Sequence, residues 1–265
     1  MPQSLRLAAA GDIVLAAGDR LCIVPEPAPE YGVSLLAAER LPRLPVGTRL
    51  SPAAGGPDLC VVAVMDKPGR GDAPAARVLL AEALADGVLP GGMSEYHAAK
   101  TGLALAWITL SDKGSQGLRA DAAGPAIAET CAAALPLCLS LGHIIPDEPR
   151  DLAALLTDLA LTQGFDLVVT TGGTGLSPRD TTPEATLRVI EKRLPGFEAA
   201  MLAASLAKTK HAMLSRAVAG TLGQAIIVNV PGSPKAVRET LAAILPAIPH
   251  GLDKLHGDPA DCAQL

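Results

Sequence analysis

Two aspartates, Asp147 and Asp180, and two glycine-bearing turns, Gly172-Gly173-Thr174-Gly175 and Gly232-Ser233, are the residues of this chain whose types and spacing point to chemistry. An aspartate with an ordinary pKa of about 3.9 is ionised and only weakly basic at neutral pH, so it suits cation ligation or phosphate positioning better than proton abstraction. Glycine lets backbone N–H groups approach an anion closely, where a Cβ would cost about 1–2 kcal/mol for each left-handed residue. A helix N-terminus behind such a turn adds its dipole. The set is suited to an anionic substrate accompanied by a divalent cation.

The elements around these residues read as a device for positioning them. Val168 to Thr171 are β-favouring and run into the glycines of VVTTGGTGLSPRDTTPEATLRVIEKR, where the pattern changes to helical spacing. Thr182, Pro183 and Glu184 spell an N-cap, a proline at the first helical position and an acid in the first turn. Leu187, Ile190 and Leu194 then extend the helix at i, i+3 and i+7. Asp180 falls on the loop leaving the strand's C-terminal end, where open α/β sheets place their ligands. The layout recurs near the C-terminus: Ala225 to Val230 as a strand, then Pro231-Gly232-Ser233-Pro234, then a helix from Ala236 to about Leu245. Ser233 as N-cap and Pro234 in the first turn also explain that motif without any ligand.

Upstream, Leu103 to Leu110 is an apolar run of the kind buried on both faces of a parallel sheet, ending in the polar loop Ser111-Asp112-Lys113-Gly114. Asp121 to Leu135 is helix-compatible, Leu137 to Ile145 makes a second strand, and Pro146-Asp147-Glu148 ends it. Leu152, Leu155, Leu156 and Leu159 mark an amphipathic helix stopped by Gly164, with Asp151 as a candidate cap. On the residues alone, Asp147 either opens the turn before this helix or faces a ligand. Pro195-Gly196-Phe197 reads as the end of the helix begun at Thr182, and Glu198 to Lys208 as another. Leu214 to Thr221 and Ala225 to Val230 flank a Gly223-Gln224 turn as a strand pair. Lys208, Lys210 and His211 read as a solvated basic helix end. The alternation predicts an α/β domain over 101–265, with a doubly wound, mostly parallel sheet and helices on both faces.

The first part of the chain has a different rhythm. Short apolar runs at Asp12 to Ala16, Arg20 to Val24, Gly32 to Leu36 and Leu59 to Met65 are broken by Gly and Pro, which predicts a small β-rich domain over 1–86. Ala75 to Ala85 reads as a short helix within it, and Asp66, Lys67 and Arg70 as a solvated loop. Residues 87–100, carrying Pro90-Gly91-Gly92, read as a linker. No chemical constellation stands out before residue 100.

Composition narrows the class. A net charge of -5 and a mere 2% of aromatic residues leave neither a basic face nor a stacking platform for nucleic acid. No apolar run approaches the roughly 20 residues of a membrane span, and no signal-peptide pattern is evident, so a cytoplasmic protein is the expectation. Cys22, Cys60, Cys131, Cys138 and Cys262 form no CxxC pair, and His97, His143, His211, His250 and His256 form no HExxH pattern. A Walker-type phosphate loop, a dinucleotide fingerprint and a GxSxG elbow are all lacking.

The run Gly172-Gly173-Thr174-Gly175 followed by Arg179, Asp180, Thr182, Pro183 and Glu184 resembles the signature of the molybdopterin adenylyltransferase family, whose fold is shared with the G domain of gephyrin. The resemblance extends over about Leu103 to Gly251. It takes in the Ser111-Asp112 that ends the first strand, Asp121 and Gly124, the Ile145-Pro146-Asp147 context, Pro195-Gly196-Phe197 and Pro231-Gly232-x-Pro234. Ala123 stands where some members carry serine.

The resemblance implies transfer of an adenylyl group from ATP to molybdopterin, and the approach of two anions that this requires calls for Mg²⁺. Asp147 and Asp180 are then the catalytic and metal-organising carboxylates. Ser111, Asp112, Gly172, Gly173, Thr174, Gly175, Thr182, Pro183, Glu184, Gly232 and Ser233 are then the candidates for holding nucleotide, phosphate or pterin. It also implies a homotrimer and dealings with other proteins of the cofactor pathway, while the charge, the aromatic shortage and the short apolar runs set the expectation of no nucleic-acid or membrane partner. Two other readings share the fold: a non-catalytic molybdopterin carrier or scaffold, and a molybdotransferase that inserts the metal. Leu252 to Leu265 reads as a loosely ordered polar tail.

Overall fold

The structure, a computed structural model, describes residues 3–27, 29–69 and 75–259. Arg70 and Cys262, noted above, lie outside the described residues. The chain divides into two compact units, Met1–Thr101 and Gly102–Leu265.

Among its described residues the first unit is all β apart from one short 3₁₀ turn. Its strands are β1 (Gln3–Ala9), β2 (Ile13–Leu15), β3 (Arg20–Val24), β4 (Ser34–Ala37), β5 (Arg49–Pro52), β6 (Leu59–Lys67), β7 (Ala76–Ala83), β8 (Gly87–Leu89) and β9 (Gly92–Ala99). Seven of them close into a barrel in the order β1-β4-β3-β7-β6-β5-β9, while β2 and β8 pair separately. Closure removes the free edges that an open sheet would expose. Two expectations are corrected here. Ala76–Ala83 is a strand, not a helix, because pairing with both β3 and β6 overrides the helical propensity of its alanines. Residues 87–100 are not a linker: β8 pairs with β2, and β9 pairs with β1 and β5.

The second unit holds a six-stranded mixed sheet. Its strands are β10 (Leu103–Leu110), β11 (Leu137–Ile145), β12 (Leu167–Thr171), β13 (Lys192–Arg193), β14 (Ala219–Leu222) and β15 (Ala225–Val230), in the order β11-β10-β12-β15-β14-β13. The first four in that order run parallel, and the last two pairings are antiparallel. All residues of β12, β14 and β15 are buried, including Thr170, Thr171, Thr221 and Asn229, whereas β11 lies at the edge and alternates in exposure. The single tryptophan, Trp107 on β10, covers Gly142 and Gly124, where a Cβ would collide with its ring.

The helices are α1 (Asp112–Ser115), α2 (Ala123–Ala134), α3 (Pro149–Thr157), α4 (Thr182–Leu187), α5 (Pro195–Leu206), α6 (Pro234–Ile244) and α7 (Ile248–Leu255). Leu105, Ile127, Leu167, Ile226, Val237, Leu241 and Leu252 are among the buried residues of one apolar cluster. Each such side chain contributes roughly 1.5–3 kcal/mol through burial. Among the described residues no helix is long and apolar enough to cross a membrane.

Several local expectations are revised. The helix that begins at Thr182 stops at Leu187 and does not reach Leu194. Glu191 N donates to Thr221 O at 2.7 Å, Leu194 N donates to Ala219 O at 2.8 Å, and Lys192 and Arg193 between them pair with β14. Pro195-Gly196-Phe197 therefore opens α5 and ends nothing, the proline serving in the first turn. Ser111 to Gly114 is not merely a loop, since Ser111 caps the single turn α1 by accepting from Gly114 N. Asp151 lies in the first turn of α3, whose N-cap position is Glu148. That helix passes into a π-helical turn, Asp158–Gln163, which ends at Gly164 with φ 75°. Residues 252–255 belong to α7, not to a tail.

Candidate active site

Strand register puts the chemistry on one rim. Leu110 is level with Ile145, Thr109 with Thr171, and Thr171 with Val230, so the four parallel strands end together. The residues that follow them are Ser111, Pro146-Asp147, Gly172 and Pro231-Gly232. Each sits where its strand's C-terminal end opens onto solvent, the position that α/β sheets give to ligands.

Asp147 and Asp112 clasp one another across this rim. Asp112 N donates to Asp147 Oδ2 and Asp147 N donates to Asp112 Oδ1, both at 3.1 Å. Arg179, next to Asp180 in the glycine motif, donates from Nη2 to both oxygens of Asp112 at 2.8 Å and from Nη1 to Glu148 Oε1 at 2.8 Å. The Asp147 backbone N–H and the Arg179 guanidinium hold the Asp112 carboxyl below the usual range. Partial burial pushes the Asp147 carboxyl up, and the negative charges of Asp112 and Asp180 add to that push. The Arg179 guanidinium opposes that push, and through its bonds to Asp112 it links the loop of Asp180 to the aspartate that follows β11.

Asp180 is oriented by its own loop: Ser177 N donates to Asp180 Oδ2 at 2.8 Å, and Asp180 N donates to Ser177 O at 2.9 Å. The glycine bend behind it leaves no room for side chains. Gly172 has φ 99° and a Cβ there would stand 2.6 Å from Leu110 O, while Gly173 has φ 62° and a Cβ there would overlap Thr182 Oγ1. A Cβ on Gly175 would meet Asp180 Oδ2 at 2.8 Å. The second bend lies alongside, since a Cβ on Gly232 would be 3.6 Å from Gly172 Cα. Ser233 accepts from Ala236 N and caps α6 beside it.

A cleft of about 220 Å³ lies against these bends, lined by Ser111, Gly172, Gly232, Thr109, Arg119 and Asp121 among others. Asp121 is structurally committed there, accepting from Thr109 Oγ1 at 2.7 Å and from the N–H groups of Ala123 and Gly124.

The remaining sequence candidates lie elsewhere. Thr182 is buried and its hydroxyl donates to Gly172 O at 3.0 Å; it braces the bend, and the N-cap position of α4 belongs to Thr181. Thr174 and Pro183 are buried as well. Pro183 and Glu184 line a second cleft of about 510 Å³, where Glu184 is ion-paired with Arg216.

Two contributors escape sequence reasoning. Arg216 reads locally as part of a strand, yet its guanidinium bonds to the glycine motif from 32 to 41 residues away. Asn229 is the other, a fully buried amide whose Nδ2 donates to Thr170 Oγ1 and Thr186 Oγ1, both at 2.9 Å. A polar residue inside an otherwise apolar strand was the available signal for it.

Among the described residues no group of three or more His, Cys, Asp and Glu side chains could hold a metal. A pair of carboxylates is nonetheless what Mg²⁺ ordinarily takes from a protein when substrate phosphates supply further oxygens. Asp147 and Asp180 are two such carboxylates, one at the end of β11 and one on the loop that leaves β12.

Residues 106–250 match the family model described as a probable molybdopterin binding domain. A molybdopterin adenylyltransferase of Helicobacter pylori (strain J99) is 42% identical over 152 residues, covering 57% of this chain and 86% of that protein. Gephyrin of Dictyostelium discoideum is 39% identical over 164 residues, and the chain spans only 22% of its length. Among solved structures, the molybdopterin biosynthesis enzyme MoaB of Thermus thermophilus superposes with a TM-score of 0.55 at 43% identity, covering 60% of this chain and 99% of that one.

Proposed function

The chain belongs to the molybdopterin-binding family of molybdenum cofactor biosynthesis proteins through residues 106–250, and on that premise we propose that it is a molybdopterin adenylyltransferase. The terminal phosphate of molybdopterin attacks the α-phosphorus of ATP. A bond forms between that phosphate oxygen and the α-phosphorus, the bond from the α-phosphorus to the bridging oxygen of the β-phosphate breaks, and pyrophosphate leaves with the electron pair. The products are adenylyl-molybdopterin and pyrophosphate.

The nucleophile is already an anion, so no general base is required. The barrier is the approach of like charges, and oriented N–H donors, helix N-termini and a cation lower it. The observation that supports the reading is that Asp147 and the two glycine bends follow strand ends on one rim, to which the loop of Asp180 is tied by Arg179 through Asp112 and Glu148. Asp147 and Asp180 would hold Mg²⁺, which when bound supplies positive charge against the phosphate oxygens. The bare backbone at Gly172 and Gly232 and the N-terminus of α6 at Ser233 receive phosphate or pterin groups. The Asp112–Asp147 clasp and the Ser177 N–H fix the orientation of both carboxylates before substrate arrives.

The same reading carries a doubly wound sheet, a cytoplasmic location, a homotrimer, and partners among other proteins of the cofactor pathway. Pyrophosphate release from ATP tests it directly, and it is expected only when molybdopterin and Mg²⁺ are both present. Binding of Mg-ATP without release would point to a carrier, and consumption of adenylylated cofactor to a metal-inserting relative; either overturns the proposal. Sedimentation should give three times the 26.9 kDa chain mass, and a monomer would contradict the trimer.

A further inference from the structure

Asp180 sits on a loop that is anchored at its flanks by a residue outside the motif. Arg216 lies between α5 and β14, and its backbone N, Nε, Nη1 and Nη2 are all directed at the stretch from Thr174 to Glu184. Its backbone N donates to Thr174 O at 3.0 Å, its Nε to Gly175 O at 2.8 Å and its Nη2 to Asp180 O at 2.5 Å. Its Nη1 pairs with Glu184 at the first turn of α4. One guanidinium thus holds the carbonyl where the loop departs from the glycines, the carbonyl of Asp180 itself, and the helix that follows.

The loop's internal bonds, between Ser177 and Asp180, set its shape but not its place. Arg179 ties its outer side to Asp112 and Glu148. The ties on the inner side come from Arg216. A planar guanidinium with five donors can reach three acceptors in fixed directions, which a lysine ammonium on a flexible stem cannot reproduce. Arg216 does not line the cleft against the glycine bends; it faces the second cleft, with about a third of its side chain exposed.

We infer that Arg216 is a positioning residue for Asp180: it acts on the reaction only through the placement of that carboxylate, and it does not touch substrate. The inference rests on the adenylyltransferase reading for its activity test and on the loop geometry alone for its second test.

The variants are Arg216→Ala and Arg216→Lys in the full chain. With Arg216→Ala, kcat for pyrophosphate release is expected to fall by at least about tenfold with KM changed by no more than about twofold, the pattern of a lost transition-state contact and not of lost substrate binding. Added guanidinium at roughly 10–50 mM, far below unfolding concentrations, should restore part of kcat, because the second cleft gives it access to the vacated position. Sodium at the same ionic strength should not. Arg216→Lys should lie between wild type and alanine, and it carries the same test if the alanine variant fails to fold. Independently of any reaction, amide exchange at Gly175, Leu176, Ser177, Arg179 and Asp180 should quicken in both variants, while exchange in β10 and β12 stays unchanged. Unaltered loop exchange would overturn the inference, as would a loss of kcat that neither guanidinium nor lysine relieves. Should wild type release no pyrophosphate, the adenylyltransferase reading fails, and loop exchange still decides the role of Arg216.

Discussion

Arg179 Nη2 stands 2.8 Å from both carboxylate oxygens of Asp112, and Asp112 in turn exchanges backbone-to-carboxylate bonds with Asp147. An arginine from the glycine motif thereby braces the aspartate at the end of β11 through an intermediary at the end of β10. The relation ties three strand ends into one rim, and it makes the charge state of Asp112 a matter of stability.

The Asp112 carboxyl is held below its ordinary range by the Asp147 N–H and by Arg179. A carboxyl with a depressed folded pKa stabilises the protein above its unfolded pKa, and that contribution is lost as pH falls through the folded value. Arg179→Ala removes one cause of the depression. The melting temperature of the variant should therefore lie below wild type near neutrality, and the gap should narrow as pH drops below about 4, where the unfolded carboxyl begins to titrate. Thermal melts between pH 3 and 7 test this, and a gap that widens on acidification contradicts it.

Asp147 makes the opposite prediction. Its carboxyl is pushed up by burial and by the charges of Asp112 and Asp180, so its ionised form costs stability at neutral pH. Asp147→Asn keeps an oxygen to accept from Asp112 N and removes that cost. The variant should melt at or slightly above the wild-type temperature and yet release pyrophosphate at least about a hundredfold more slowly, as expected where a site gives up stability for function. Asp180→Asn should lose turnover to a similar extent with little change in melting. Wild-type turnover in both variants would remove the pair from the mechanism.

The glycine bend offers a contrast with an internal control. Alanine at Gly172 must take φ 99° and bring its Cβ to 2.6 Å from Leu110 O, so Gly172→Ala should cost about 2–4 kcal/mol, combining backbone strain with displacement of a neighbouring carbonyl. Gly196, in the first turn of α5, has open space around its Cα and no positive φ. Gly196→Ala should stabilise by about 0.5–1 kcal/mol by favouring the helix. Urea unfolding of the two variants checks both signs, and equal effects would mean that the bend is not tight.

What was legible in the sequence follows the range of the interactions involved. Leu103–Leu110 and Leu137–Ile145 end where the sequence places their ends, because an apolar run meeting proline or a polar cluster is a local signal. The alanines of Ala76–Ala83 favour helix locally and are drawn into the barrel by β3 and β6, which no local window contains. Ile190 and Leu194 keep a helical spacing after Leu187 only by coincidence, since the intervening residues pair with β14. Asp147 and Asp180 were readable as strand-end carboxylates. Arg216 was not, because its acceptors become its neighbours only after the sheet has formed.

Asn229 supports the same bend from inside the sheet. Its Nδ2 donates to Thr170 on β12 and to Thr186 on α4; Thr186 Oγ1 donates to Thr182 O at 2.9 Å, and Thr182 Oγ1 donates to Gly172 O. The chain of bonds runs from β15 across β12 to the first turn of α4 and ends at the glycine bend. Within it Asn229 Oδ1 is buried with no partner, so the amide already carries a cost that its two donated bonds must exceed. Asn229→Leu removes that cost but leaves both threonine hydroxyls without their donor, and should destabilise by about 1–3 kcal/mol. Asn229→Asp buries an acceptor-only carboxylate beside Thr186, whose hydroxyl already donates to Thr182 O, and should cost more, about 3–5 kcal/mol, unless it is protonated. The aspartate variant should therefore regain stability relative to the leucine variant as pH falls, since a buried carboxyl has its pKa raised and recovers a proton to donate. Chemical denaturation of both variants at pH 5 and pH 8 decides the matter: an aspartate variant as stable as wild type at pH 8 would show that this chain of bonds does not hold the bend.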